Sequence, residues 1–506
     1  MRSILTVVIL FFSIFKTSAQ SAHNPIIYAD VPDLSMIRVD SVYYMSSTTM
    51  HMSPGLPIMR STDLVNWQLL GYVYDTLADV DALNLKNGKN AYGQGSWASS
   101  LRYENNTFYA TTFSGTTGKT YIYTTKDIEK GNWERHDFHP SLHDHSLFFD
   151  NGKAYMVYGS GKIRITELKP DLSGIQPGGL DQVIIENASL PAGGNVGLPA
   201  EGSQLFKIDG AYFLFNICWP KGGMRTVVIH KADKLTGPYT GRVALQDKGV
   251  AQGGLINTPQ GNWWAYLFKD QGAVGRVPYL VPVQWKDGWP VLGVNGRVPD
   301  SLELPASKGY IPGLVASDEF NEKQLPLVWQ WNHNPDNKSW SLTRRKGYLR
   351  LTTSHIATSP LDARNTLTQR TIGPECSAIT SVDLSGMKEG DVAGLLLLQK
   401  NFGWAGIRML EGKKYLVMET AVSGEQQRLP LSKNKLYLKA SCDFRQDKGS
   451  FYYSFDGEKW SQLGDSFKLV YTLPHFMGYR FGLFNYATKT TGGYADFDFF
   501  HIEDHQ

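Results

Sequence analysis

Three cysteines in 506 residues are too few for a disulfide framework, and Cys218, Cys376 and Cys442 are too scattered for a zinc site. Cys376 and Cys442 could pair; spacing alone leaves that open. Charge of one sign is scarce too: 50 Lys and Arg against 47 Asp and Glu leave +3 at neutral pH. No basic face rises above that balance, which argues against nucleic acid or an anionic membrane as partner. Sustained helical periodicity is missing. Only one long apolar run exists, Ile4 to Phe15, between Arg2 and the small residues Thr17-Ser18-Ala19. It is too short and wrongly flanked for a membrane span, so residues 1–19 are expected to be a secretory signal peptide. The mature chain is then exported, to the periplasm or beyond. No cysteine lies near the cleavage site, so a lipid anchor there is not indicated.

What the chain has in quantity is glycine and aromatics: 50 Gly, 26 Tyr, 24 Phe and 13 Trp. Its length exceeds one core, and two or three domains are expected. Within its first 300 residues a hairpin is written five times, aligned on Ser35, Ser100, Ser146, Ser203 and Gly254. Nine positions on stands an aromatic: Tyr44, Tyr109, Tyr155, Tyr212 and Trp263. Turn residues lie between, from Asp40-Ser41 to Gln260-Gly261. A further element, such as Arg60 to Trp67, follows three hairpins and reads as a tight turn before an outer strand. Five such units predict an all-β, five-bladed β-propeller over residues 20–300.

Two residues before each aligned position stand Asp33, Ala98, Asp144, Glu201 and Gln252. Propeller symmetry gathers equivalent positions round one axis, so three carboxylates are expected to converge. Crowded carboxylates repel and raise one another's pKa. Each alone is an ordinary strand-opening turn residue; the three together point to acid–base chemistry. Such chemistry needs one carboxylate to take a proton and one protonated carboxyl to give one.

The run from Asn24-Pro25-Ile26-Ile27 to Pro32-Asp33-Leu34-Ser35 resembles the opening of the family 43 glycoside hydrolases. So do Trp97 to Tyr103, His143-Asp144-His145-Ser146 and the Glu201 stretch. The segment from Gly275-Arg276 to Trp289-Pro290 is similar to the branch of β-xylosidases and α-L-arabinofuranosidases. Leu34 replaces the family's usual Pro, and Gln271 stands where relatives often carry His. The resemblance implies Asp33 as general base, Glu201 as general acid and Asp144 as the group tuning and orienting Glu201. It implies Arg276 at the sugar subsite, forking onto a sugar hydroxyl or a carboxylate such as Asp144. Trp97 as stacking platform and Gln252 at the fifth repeat complete the expected sugar-binding set. His51 and Met52 are read as structural.

Residues 301–313, with Pro305 and Pro312, read as a linker. Strand-like runs resume from Leu314 to the end and predict a two-sheet β-sandwich over 314–506. It resembles the lectin-like domain of family 43 β-xylosidases, which packs on the propeller and can lend a loop to the active-site rim. Asp318, Asp496 and Asp498 could share a structural calcium or be solvated turn acids; no cofactor is required, and no metal ligand is assigned at the site. The expected activity is exo-acting, inverting release of arabinofuranose from hemicellulose such as xylan or xyloglucan. A β-xylosidase is the close alternative. A retaining β-fructosidase-like enzyme lacks its Arg-Asp-Pro and Glu-Cys signatures here, and a non-catalytic sugar-binding propeller would not need three acids. The polymer and the oligomeric state stay open.

Overall fold

The computed structural model describes residues 21–505; the expected signal peptide, 1–19, lies outside them. Five four-stranded antiparallel sheets span 35–74, 100–138, 146–185, 196–245 and 251–292. Their first strands, Ser35–Val39, Ser100–Glu104, Ser146–Asp150, Val196–Ile208 and Ala251–Asn257, touch in cyclic order, the last against the first. The ring is a closed five-bladed propeller. The first two strands of each blade are joined by tight turns carrying left-handed residues, among them Asp40, Asn105, Asn106, Asn151, Asp209 and Gly210, as an Asn/Asp/Gly turn requires. Alternation sends every second side chain into a layer between blades. Tyr44, Phe108 and Tyr123 fill one such layer and Tyr155, Tyr212 and Leu214 another.

The Pro-rich stretch after the propeller is partly ordered. Ser301–Pro305 pairs antiparallel with Ser21–His23 and ties the two ends of the propeller together. The C-terminal domain is a sandwich of two large sheets. In Lys435–Asp443, for example, Leu436, Leu438, Ala440 and Cys442 point into its core while the intervening residues face out. Cys376 lies directly opposite Cys442 on neighbouring strands, and both are free, buried thiols.

The two domains share a sheet. Met52–Ser53, from the propeller's first blade, adds an edge strand beside Gln330–Asn332 of the sandwich. His51 next to it is 1% exposed, with its Nε2 3.0 Å from Asn332 Oδ1, so it braces the interface. Asp318, Asp496 and Asp498 do not converge. Asp318 accepts from Trp329 Nε1 at 2.8 Å and Asp496 from Arg350 at 2.7 Å, while Asp498 pairs with Lys435 at 3.0 Å. Among the described residues no helix is long and apolar enough to cross a membrane.

Candidate active site

The inner strands open on one mouth of the propeller, and there the predicted acids meet. Asp33 and Asp144 both hold left-handed backbone, φ 50° and 47°, as does Gln252 at 54°. The same kink thus opens three blades, in a conformation Asp tolerates better than most residues. Blade four departs from this register. Val196–Ile208 carries irregularities on both sides of Glu201, and the left-handed residue is Gly202, one position later, at φ 67°. A Cβ on Gly202 would lie 2.8 Å from the Gln252 side chain, so glycine is needed twice over. Glu201 is consequently offset from strict equivalence and sits nearer the rim. Its side chain is 19% exposed, against 8% for Asp144 and 5% for Asp33.

Asp33 is held by Arg276, whose Nη1 donates to Oδ1 at 2.7 Å. Both side chains are buried. The other oxygen, Oδ2, is buried without a hydrogen-bond partner among the described residues. Burial pushes the Asp33 carboxyl up, and Arg276 opposes this by charge and hydrogen bond without cancelling it. Arg276 therefore leans on Asp33 and not on Asp144. Its own amide donates to Asp30 Oδ1 at 2.7 Å, which fixes the strand that carries it.

Glu201, Asp144 and His143 form a second group, with oxygen and nitrogen atoms all within 4.8 Å of one another. His143 Nε2 donates to Glu201 Oε2 at 3.0 Å and stands 3.9 Å from Asp144 Oδ2. Burial raises the Asp144 carboxyl to about 7; His143 opposes that rise and the Glu201 charge adds to it. For His143 burial acts downward, but the bond to Glu201 and the surrounding carboxylates hold it up at about 9. Below about 7 the group therefore contains an imidazolium at His143 and a protonated carboxyl at Asp144, beside Glu201. A cation could be held by these three only by displacing the His143–Glu201 hydrogen bond. His145, on the far side of Asp144, is structural. Its Nδ1 donates to the Leu142 carbonyl at 2.9 Å, and burial lowers it to about 4.

The sandwich supplies the remaining wall. Phe476 packs edge-on against Trp97, ring centroids 4.9 Å apart, and lies under the Arg276 guanidinium at 4.8 Å. Trp97 is half-buried at this contact, while Gln252 and Ala98 line the small axial cavity beneath Asp33 and Asp144. Gln271 starts the short turn before Arg276, and its Oε1 is buried without a partner among the described residues. Sequence reasoning missed His143 and Phe476. His143 had a visible signal, its place beside Asp144; Phe476 had none, since 200 residues separate it from Arg276.

The catalytic-domain family model, described as glycosyl hydrolases family 43, matches residues 22–290. A second, the β-xylosidase C-terminal concanavalin A-like domain, matches 317–503. A β-xylosidase of Formosa agariphila is 30% identical over 94% of this chain and 89% of its own. A non-reducing end α-L-arabinofuranosidase of Bacteroides ovatus is 26% identical over 78% of this chain and 77% of its own. The solved structure of a bifunctional GH43-CE protein from Bacteroides eggerthii superposes with a TM-score of 0.95 at 62% identity. It covers 97% of this chain, which in turn spans only 64% of that longer protein. Matched in both domains, the chain belongs to glycosyl hydrolase family 43.

Proposed function

We propose that this protein is an exo-acting, inverting glycosidase that removes terminal pentose from plant cell-wall polysaccharide, α-L-arabinofuranose in preference to β-xylose. The observation that carries the reading is the division of the acids into two unlike sets. Asp33 is clamped through one oxygen by Arg276 and keeps the other, Oδ2, free. That free oxygen suits a general base taking a proton from water. Across the mouth, Glu201 sits outermost beside the proton-holding Asp144 and beside His143, as a general acid needs. Asp33 stays ionised above its own, raised, pKa, and Asp144 keeps its proton up to about 7. The active window lies between the two.

In this reading the sugar lies over Asp33 and Asp144, and Arg276 directs the base by fixing one of its oxygens. Trp97 and Phe476 form an aromatic edge against which the pentose ring packs. Asp33 and Glu201 come from non-adjacent blades, and Asp33 does not join the tight group round Glu201. This favours a gap that admits water, roughly 6.5–9.5 Å in inverting enzymes, over direct attack by the carboxylate. The apolar run at Ile4 to Phe15 supports export to where such polymers are met. The relatives named above divide between xylosidase and arabinofuranosidase, so the sugar is the point to test. Kinetics on paired nitrophenyl α-L-arabinofuranoside and β-xyloside, with proton NMR of the first-formed anomer, should show faster arabinose release with inversion. Retention overturns Asp33 as base, and faster xylose release overturns the preference.

A further inference from the structure

Behind the Phe476 loop, where the sandwich meets the propeller, a small cavity is lined by Asp30, Thr49, Met52, Arg370, Phe476 and Arg480. It has room for an occupant the size of a water molecule or a halide. Arg370 is 3% exposed and Arg480 6%. Arg480 donates to Thr368 Oγ1 at 2.9 Å and to Gln330 Oε1 at 3.0 Å. Arg370 donates through Nε to the Asp30 carbonyl at 3.1 Å, and its Nη1 is buried with no partner among the described residues. Every one of these acceptors is neutral. Burial first, and then the charge of Arg370, lower Arg480 to about 9, which leaves it protonated at neutral pH.

The charges do not balance. Asp33 and Arg276 neutralise each other a short distance away. Asp30 is the carboxylate on the cavity wall, and its oxygens accept from the amides of Arg276 at 2.7 Å and Gly478 at 3.1 Å. Set against two guanidiniums, it leaves one positive charge uncompensated in a buried space. Tyr72 beside Arg370 is held in its neutral form, because burial raises its hydroxyl, and so offers no counter-charge. A buried, uncompensated charge is strongly unfavourable. A water molecule would satisfy the unpartnered N–H but not the charge. We propose that this cavity binds a single monovalent anion of halide size, chloride in ordinary media, between Arg370 and Arg480. Phe476 and Met477 form the wall next to it, so the bound anion would also fix the loop that packs on Trp97 and Arg276.

The test uses the full chain with sodium bromide as probe. Crystals grown without halide and soaked in bromide should show an anomalous bromine peak in the cavity, within hydrogen-bond reach of Arg370 Nη1. In solution, chloride or bromide titrated at constant ionic strength against sodium gluconate, too large for the cavity, should raise the melting temperature saturably by a few degrees. Arg370→Met should abolish the saturable rise. An empty or water-only cavity in the bromide map overturns the proposal, as does an equal rise in gluconate. Should Arg370→Met fail to fold, the wild-type bromide map decides alone.

Discussion

Replacing Arg276 with Met is the sharpest probe of Asp33 as the proposed base. The Asp33–Arg276 pair is 2.7 Å across and about 95% buried on both sides, so water does not screen it. Breaking such a pair by removing one partner typically costs about 3–5 kcal/mol, because an uncompensated charge stays behind. The cost should depend on pH, and its sign follows from the carboxyl. Without Arg276, burial acts on Asp33 unopposed and its folded pKa climbs further above the unfolded value. The stability deficit is then complete at alkaline pH. It shrinks as pH falls toward the unfolded carboxyl range, where Asp33 is neutral in both states. Thermal or urea unfolding of wild type and variant at about pH 5 and about pH 8 measures it. The same protonation should move the acid limb of kcat/KM to higher pH. Arg276→Met combined with Asp33→Asn should be less destabilised than Arg276→Met alone at pH 8, since no charge is stranded. A deficit independent of pH, with the acid limb in place, would refute the idea that Arg276 holds the base ionised.

Glu201→Gln should slow natural oligosaccharides by about 10²–10⁴-fold and activated aryl glycosides far less, whereas Asp33→Asn should depress both alike; equal losses in the two variants would leave the acid and base roles unsupported. Asp144→Asn removes a negative neighbour from Glu201, so the alkaline limb should move to lower pH. His143→Leu removes a positive neighbour and should move that limb the other way, to higher pH, with a loss of kcat from the freed Glu201; shifts of the same sign would contradict the arrangement. Phe476→Ala should raise KM more than it lowers kcat, and thermal stability should fall only modestly, because the ring contacts the site from outside the acids.

The sequence by itself determined the propeller, its five blades and the gathering of three carboxylates at one mouth. These rest on local signals that repeat: an alternating strand, an Asn/Asp/Gly turn, a second strand. Once the repeat closes into a ring, equivalent positions must face one axis, so Asp33 and Asp144 were found without coordinates. Tertiary structure decided what repeat symmetry cannot encode. The irregular strand around Glu201 broke the symmetry by one residue and put that carboxylate at the rim. Arg276 had two carboxylates within its blade's reach, and backbone geometry, with Asp30 anchoring its amide, chose Asp33 over Asp144. Asp318, Asp496 and Asp498 looked alike as acids, yet Trp329, Arg350 and Lys435 claimed them separately. Phe476 and the half-compensated pair Arg370 and Arg480 exist as features only where two domains meet. No period in a chain specifies a contact between residues hundreds of positions apart. Such contacts are fixed by packing between the domains.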